Sequence, residues 1–372
     1  MIMKDKINNT TCIETAEMIC ALSVAMCVNG IFALDPDYAY SGGNSTYLSI
    51  PLSASLSLLF ILCVLRVMSI CGCDDLYGLF KYAFGRKGAI IISIPTAISL
   101  TAISACPLAS FMQVLHRLVF DGASYFRIFV FVFPVVCLMA FKGIGAITRT
   151  SGLIVVPLFV SLLAAVVSSL QGFEVYRLYP VVGDGVRHMF SFAGSSMLYF
   201  AAPLSVLLIE GRVMQGAGVM RKTAVRSTLI SAGICAAAHL AVSMSFGSKT
   251  LSQLLMPLYR IGFVNPKPWL VMRLDKAFIM IWLSGAIMGS SFCIMGASDM
   301  LTCSLGEKKQ KAVTASVCLI SALIVLKPML LELDSIIMLG KLVSRYAVIL
   351  TAVPVAAAAA FAAIKNKRRT VG

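Results

Sequence analysis

Few side chains able to bind or react lie inside the long apolar stretches of this chain, so each one carries weight. The first stretch holds Asn29-Gly30, where an amide and an exposable backbone could hydrogen-bond a polar solute. The sixth holds Ser195, Ser196 and Tyr199, three hydroxyls within little more than one helical turn. Serine on a membrane helix also bonds back to its own backbone, and glycine with serine also serves close helix packing, so both readings stand. Ser290-Ser291 in the eighth stretch suit a cation such as sodium, held by hydroxyls together with backbone carbonyls of the first. His239 invites a proton relay, as any intramembrane ionisable group does, against a neutral, hydrogen-bonded histidine filling a gap.

Catalytic chemistry is not expected. The sequence shows no Ser/His/Asp or Cys/His pattern and no phosphate-cradling glycine loop. Cys71-Gly72-Cys73 followed by Asp74-Asp75 offers metal-type ligands but lacks histidine partners and zinc spacing, so no metal and no cofactor are expected.

The elements that must position these residues are about ten apolar runs separated by short charged joints. Each is of the order of the 20 residues that a bilayer core asks of a helix. With mean hydropathy +0.92, 59% hydrophobic and only 13% charged residues over 372, the apolar surface exceeds what one soluble core could hide. The fold class is an all-α polytopic membrane protein, a single integral domain over residues 1–372. Net charge is +15, with the basic residues at run ends, which points to membrane surfaces and not to nucleic acid. With the N-terminus inside, roughly nineteen of the 31 Lys and Arg fall on the inner side, so both termini are expected to be cytoplasmic. Most of the 12 cysteines sit within apolar runs, as small hydrophobes.

The runs divide five and five, about 13–171 and 187–364. That is the pattern of inverted-repeat transporters, in which the first helix of each half is broken near the bilayer midplane. Asn29-Gly30, with Asp35-Pro36 after it, and Gly194-Ser195-Ser196, with Ala201-Ala202-Pro203 after it, are the expected interruptions. An unwound turn there would bare N–H and C=O groups to a solute. The joint Asp75–Gly88 interleaves aromatic and basic residues and reads as an amphipathic helix at the inner interface.

Several joints resemble the spore germination permeases, the integral B subunits of nutrient germinant receptors, within the amino acid–polyamine–organocation transporter superfamily. The best match is Leu178-Tyr179-Pro180-Val181-Val182-Gly183-Asp184-Gly185, entering span six. Arg273-Leu274-Asp275-Lys276, with Trp282 downstream, resembles the family's start to span eight. Gly143–Arg149 and Phe84–Gly88 are weaker matches, in the same order along the chain.

The resemblance implies ten spans in a LeuT-like 5+5 inverted repeat with broken helices 1 and 6. A small germinant, often an amino acid, would sit between those two helices, with spans three and eight around it. It also implies A-type and C-type receptor subunits as partners, and the spore inner membrane as location. Ala202-Pro203-Leu204 stands where the family has glycine followed by a nearby glutamate, so Ala202 joins the candidate ligand-binding residues while a buried charge is lost. The alternative function is a secondary transporter of amino acids or related small solutes.

Overall fold

Main-chain amides in lipid have no partner except their own helix, and the described residues fold into helices with no strand among them. The computed structural model describes residues 13–32, 45–120, 122–183, 185–214, 216–246, 250, 254, 257–261, 274–330 and 352–366. The long helices are α1 Thr15–Phe32, α2 Thr46–Cys71, α3 Leu76–Val114, α4 Tyr125–Lys142 and α5 Ile144–Ser169. The second half supplies α6 Val186–Ile209, α7 Ala217–Ser245, α8 Leu274–Leu305, α9 Gln310–Leu330 and α10 Ala352–Asn366. Eight of them are long and apolar enough to cross a membrane, while α1 and α10 are shorter apolar helices. The first twelve residues, most of the joint after α7 and most of the tenth apolar run lie outside the described residues.

Helices pair in a pattern that survives exchange of the two halves. The α1–α7 contact is matched by α6–α2, α4–α8 by α9–α3, and α1–α8 by α6–α3. The α2–α7 and α3–α8 contacts map onto themselves. Tyr125 on α4 donates its hydroxyl to the Val325 carbonyl on α9 at 2.8 Å, joining another such pair.

Small residues let the central helix in. A side-chain carbon added at Gly289 of α8 would lie 3.3 Å from the Ala25 Cα of α1, and one at Gly296 would lie 2.6 Å from a Val206 methyl of α6. Lipid provides no hydrophobic drive between helices, so such close backbone approach is what packs them. At the periphery, Leu153, Val156, Val160, Leu163 and Val167 of α5 are exposed on one stripe at helical spacing, the face turned to acyl chains.

The joint between α2 and α3 takes the amphipathic shape that the sequence suggests. Asp75 caps α3, its carboxylate accepting from the Gly78 amide at 2.7 Å. Leu76, Tyr77, Leu79 and Phe80 are buried while Lys81, Arg86 and Lys87 are exposed, so this first segment is amphipathic. Gly85, at φ 73°, then turns the chain into the spanning part of the same helix. Arg212, after α6, pairs with Asp75 at 2.7 Å, and α10 rests its C-terminal end on the joint through Lys365, which donates to the Tyr82 carbonyl at 2.9 Å.

Candidate functional site

Proline at position 203 decides the local chemistry of α6. It has no N–H, so the Tyr199 carbonyl one turn earlier loses its helical donor. The Asn29 side-chain amide on α1 donates to that carbonyl at 3.3 Å. From Tyr199 to Ile209 at the C-terminal end of α6 is about 15 Å at the α-helical rise, roughly half of a ~30 Å hydrocarbon core. The two helices therefore meet near mid-depth.

Gly30 lies one residue further on, and its lack of a side chain is what allows the approach. An added carbon would sit 2.9 Å from Cys235 Sγ on α7 and 3.2 Å from Phe200 Cζ on α6. The Gly30 carbonyl is 3.0 Å from His239 Nε2 on α7. Two further side chains of α7 reach α1 carbonyls: Ser231 Oγ donates to Ser23 at 3.5 Å, and the Cys235 thiol to Cys27 at 3.9 Å. The equivalent pair in the other half behaves likewise, for Ser57 on α2 donates to the Met197 carbonyl of α6 at 2.7 Å. Carbonyls of both first helices are thus held from the side by a neighbouring helix.

The interruptions take a different form from unwound turns at the expected residues. Backbone geometry stays helical through Asn29 and Gly30 up to Phe32, and α6 runs through Gly194 to Pro203 without a non-helical residue. The carbonyl that proline turns over to Asn29 supplies a polar backbone group instead. Side chains from α1, α2 and α7 reach in while the coil persists.

The candidate residues fall into three places. Asn29, Gly30, Tyr199 and buried Ala202 gather at the α1–α6 contact, with Ser196 one turn from Tyr199. Ser195, also one turn before Tyr199, is half-buried and spends its hydroxyl on the Phe192 carbonyl at 2.9 Å. Ser290 and Ser291 also lie apart. Ser290 donates to the Ser104 carbonyl of α3 at 2.9 Å, and Ser291 to Val136 of α4 at 3.2 Å and to Ile287 at 2.7 Å. Neither hydroxyl is directed to an α1 carbonyl, so an ion site built with span one is not assembled in this conformation.

On three helices that pack against α1, Ser196 Oγ of α6, His239 Nδ1 of α7 and Trp282 Nε1 of α8 belong to fully buried side chains and have no hydrogen-bond partner. Ser196 is a turn from the residues that touch Asn29. His239 bonds Gly30 directly. Trp282 is a turn outward of Gly285, which packs on Val24 and Val28 of α1. Buried polar groups in native proteins nearly always have a partner, so such a set marks a place for a water or a small solute.

Sequence reading did not single out Ser57, Phe200 or Trp282 for this place. It weighed His239 alone, although Thr223, Ser227, Ser231, Cys235 and His239, each four residues apart, announce a polar ridge on α7. At the rejected metal motif, burial first and then Cys71, Asp75 and Asp74 push the Cys73 thiol up to about 11, so it stays protonated at neutral pH.

Among solved structures, the chain is similar in fold to a sodium-coupled sialic acid symporter in a substrate-bound, outward-open state. The TM-score is 0.66 at 12% identity, over 90% of this chain and 77% of that one. A manganese transporter from Eremococcus coleocola is similar with a TM-score of 0.55 at 16% identity, over 89% and 76% of the two chains. Both are LeuT-fold transporters, and at these identities they show the fold alone. No curated protein matches the sequence. A family model described as spore germination protein matches residues 12–331.

Proposed function

The chain belongs to the spore germination protein family, and from that premise we propose that it is the membrane subunit of a nutrient germinant receptor that binds a small germinant, an amino acid or similar solute, and triggers spore germination. The observation that carries this is that Ser196 Oγ, His239 Nδ1 and Trp282 Nε1, on the three helices packed against α1, are buried without a hydrogen-bond partner. Asn29, Gly30, Tyr199 and Ala202 would form the wall where α1 meets α6. We read the chain as one integral domain of two repeats, about 13–171 and 187–364, which the exchangeable helix pairs support.

In this reading the solute binds more tightly to one arrangement of the helices than to another. A coupling of about 1–3 kcal/mol is enough to pass its presence to A-type and C-type subunits. Both termini face the cytoplasm of the spore inner membrane.

Deleting the gene in its spore-forming host and exposing spores to a panel of amino acids and sugars tests the role. Loss of the response to at least one nutrient is expected. Unchanged germination on every nutrient, with partner subunits present, refutes it.

Secondary transport is the second reading, favoured by the transporter fold of both structural relatives. Reconstituted protein would then accumulate solute in liposomes along an ion gradient, whereas a sensor binds without flux.

A further inference from the structure

We infer that the bend of α3 is a binding site for an acidic phospholipid, with the phosphate at Arg86 and Lys87 and an acyl chain along Ile91, Ile94 and Ile98. The chain turns at Gly85, so the spanning part of α3 opens with Arg86 and Lys87 and adds the positive end of its dipole to their two charges. Both side chains are exposed, as is Lys81 in the amphipathic segment before the bend. Lys365 of α10 comes to the same place, its ammonium 5.2 Å from the centre of the Tyr82 ring.

Among the described residues nothing neutralises this group. The sequence has no Asp or Glu from Leu76 to Phe120, and no ion pair among the described residues includes any of the four cations. Asp75, just before the segment, is already held by Arg212.

Lys87, Ile91, Ile94 and Ile98 recur at the spacing of one helical face. All four are exposed, the isoleucines by 68%, 48% and 55%, while Ala89, Ser93 and Thr96 on the other side are buried. A face that meets lipid tails and begins at a pair of cations fits one molecule with both chemistries, a negative phosphate joined to an acyl chain. A zwitterionic lipid brings no net charge, and free phosphate brings no chain.

Full-length protein in phosphatidylcholine nanodiscs, with a trace of phosphatidylglycerol carrying a photoreactive diazirine in its acyl chain, provides the test. Each Lys or Arg near the surface favours an acidic lipid about fivefold, so Arg86 and Lys87 together favour it about 25-fold. The peptide carrying Ile91 to Ile98 should take up label. Replacing one fifth of the phosphatidylcholine by unlabelled phosphatidylglycerol should lower that labelling about sixfold, by the same preference. Labelling of wild-type protein that this exchange leaves unchanged overturns the inference, whatever the variants do.

Arg86→Gln with Lys87→Gln should abolish most of the competition. Lys308→Gln with Lys309→Gln, which removes the same charge from exposed positions elsewhere, should preserve it. Equal loss in both pairs would assign the preference to the overall charge of the chain and overturn the site. Excess inorganic phosphate should leave the labelling as it was. Suppression by phosphate would reveal a site with no use for the acyl chain, which overturns the lipid assignment.

Discussion

Asn29→Leu, made with and without Pro203→Ala, isolates the contact that ties the first helix to the sixth. Leucine matches asparagine closely in size, so the change removes the amide with little change in volume. In the native background the Tyr199 carbonyl loses the donor held at 3.3 Å. Hydrogen bonds between membrane helices contribute about 0.6 kcal/mol on average and reach about 1.7 kcal/mol. Proline denies this carbonyl a helical donor to fall back on, which places the expected cost toward the upper figure, about 1–1.7 kcal/mol. In the Pro203→Ala background an N–H returns to that carbonyl from within α6, and the same Asn29→Leu change should cost close to nothing. The coupling energy of the double-mutant cycle should therefore approach the full cost of the single change. Reversible unfolding in mixed lipid–detergent micelles measures all four proteins, and about 1 kcal/mol is roughly a fivefold change in the equilibrium constant. Equal costs of Asn29→Leu in the two backgrounds would refute the claim that proline hands the acceptor to Asn29.

Gly296→Ala should destabilise by about 1–3 kcal/mol through overpacking against Val206, and Val206→Ala in the same chain should restore most of the loss in thermal unfolding. Arg212→Ala should lower the melting temperature, because it leaves the buried Asp75 carboxylate without its cation, at a cost of about 1–3 kcal/mol. Adding Asp75→Asn should recover stability, since a neutral side chain still caps Gly78; no recovery would show that the charge is not the cause. Peptide-resolved maleimide labelling of Cys73 should be slow at neutral pH and quicken as pH climbs toward about 11, because only the thiolate reacts; fast labelling at pH 7 would contradict the raised pKa.

Much of the fold was legible because lipid leaves the backbone so few options. Composition alone demanded spanning helices, and their division into two sets of five was readable from the runs. The amphipathic character expected of the joint Asp75–Gly88 from its interleaved aromatic and basic residues is present in its first segment, whereas the bend at Gly85 was not foreseen. The site was legible only in part. Asn29, Gly30 and Tyr199 stood out as polar or small residues where apolar ones prevail, and they do meet. Their backbone state was not readable, because whether a helix unwinds at glycine depends on what its neighbours offer the carbonyls. Here Asn29, Ser57 and His239 offer donors across helix boundaries, and the coil survives. The orientation of Ser290 and Ser291 was not readable for the same reason: adjacent residues on a helix point about 100° apart, and their acceptors belong to α3 and α4.

The ladder of side chains from α7 onto the carbonyls of α1 has a mechanical result. Ser231, Cys235 and His239 grip three levels of one neighbour, while Gly289 of α8 merely slides against Ala25. A rod clamped at three heights travels with its clamp, so α1 and α7 should swing as a single lever, with the smooth face toward α8 serving as the bearing. Bridging the native thiols Cys27 and Cys235 would then leave the swing free, whereas stapling Ala25 to position 289 would jam it.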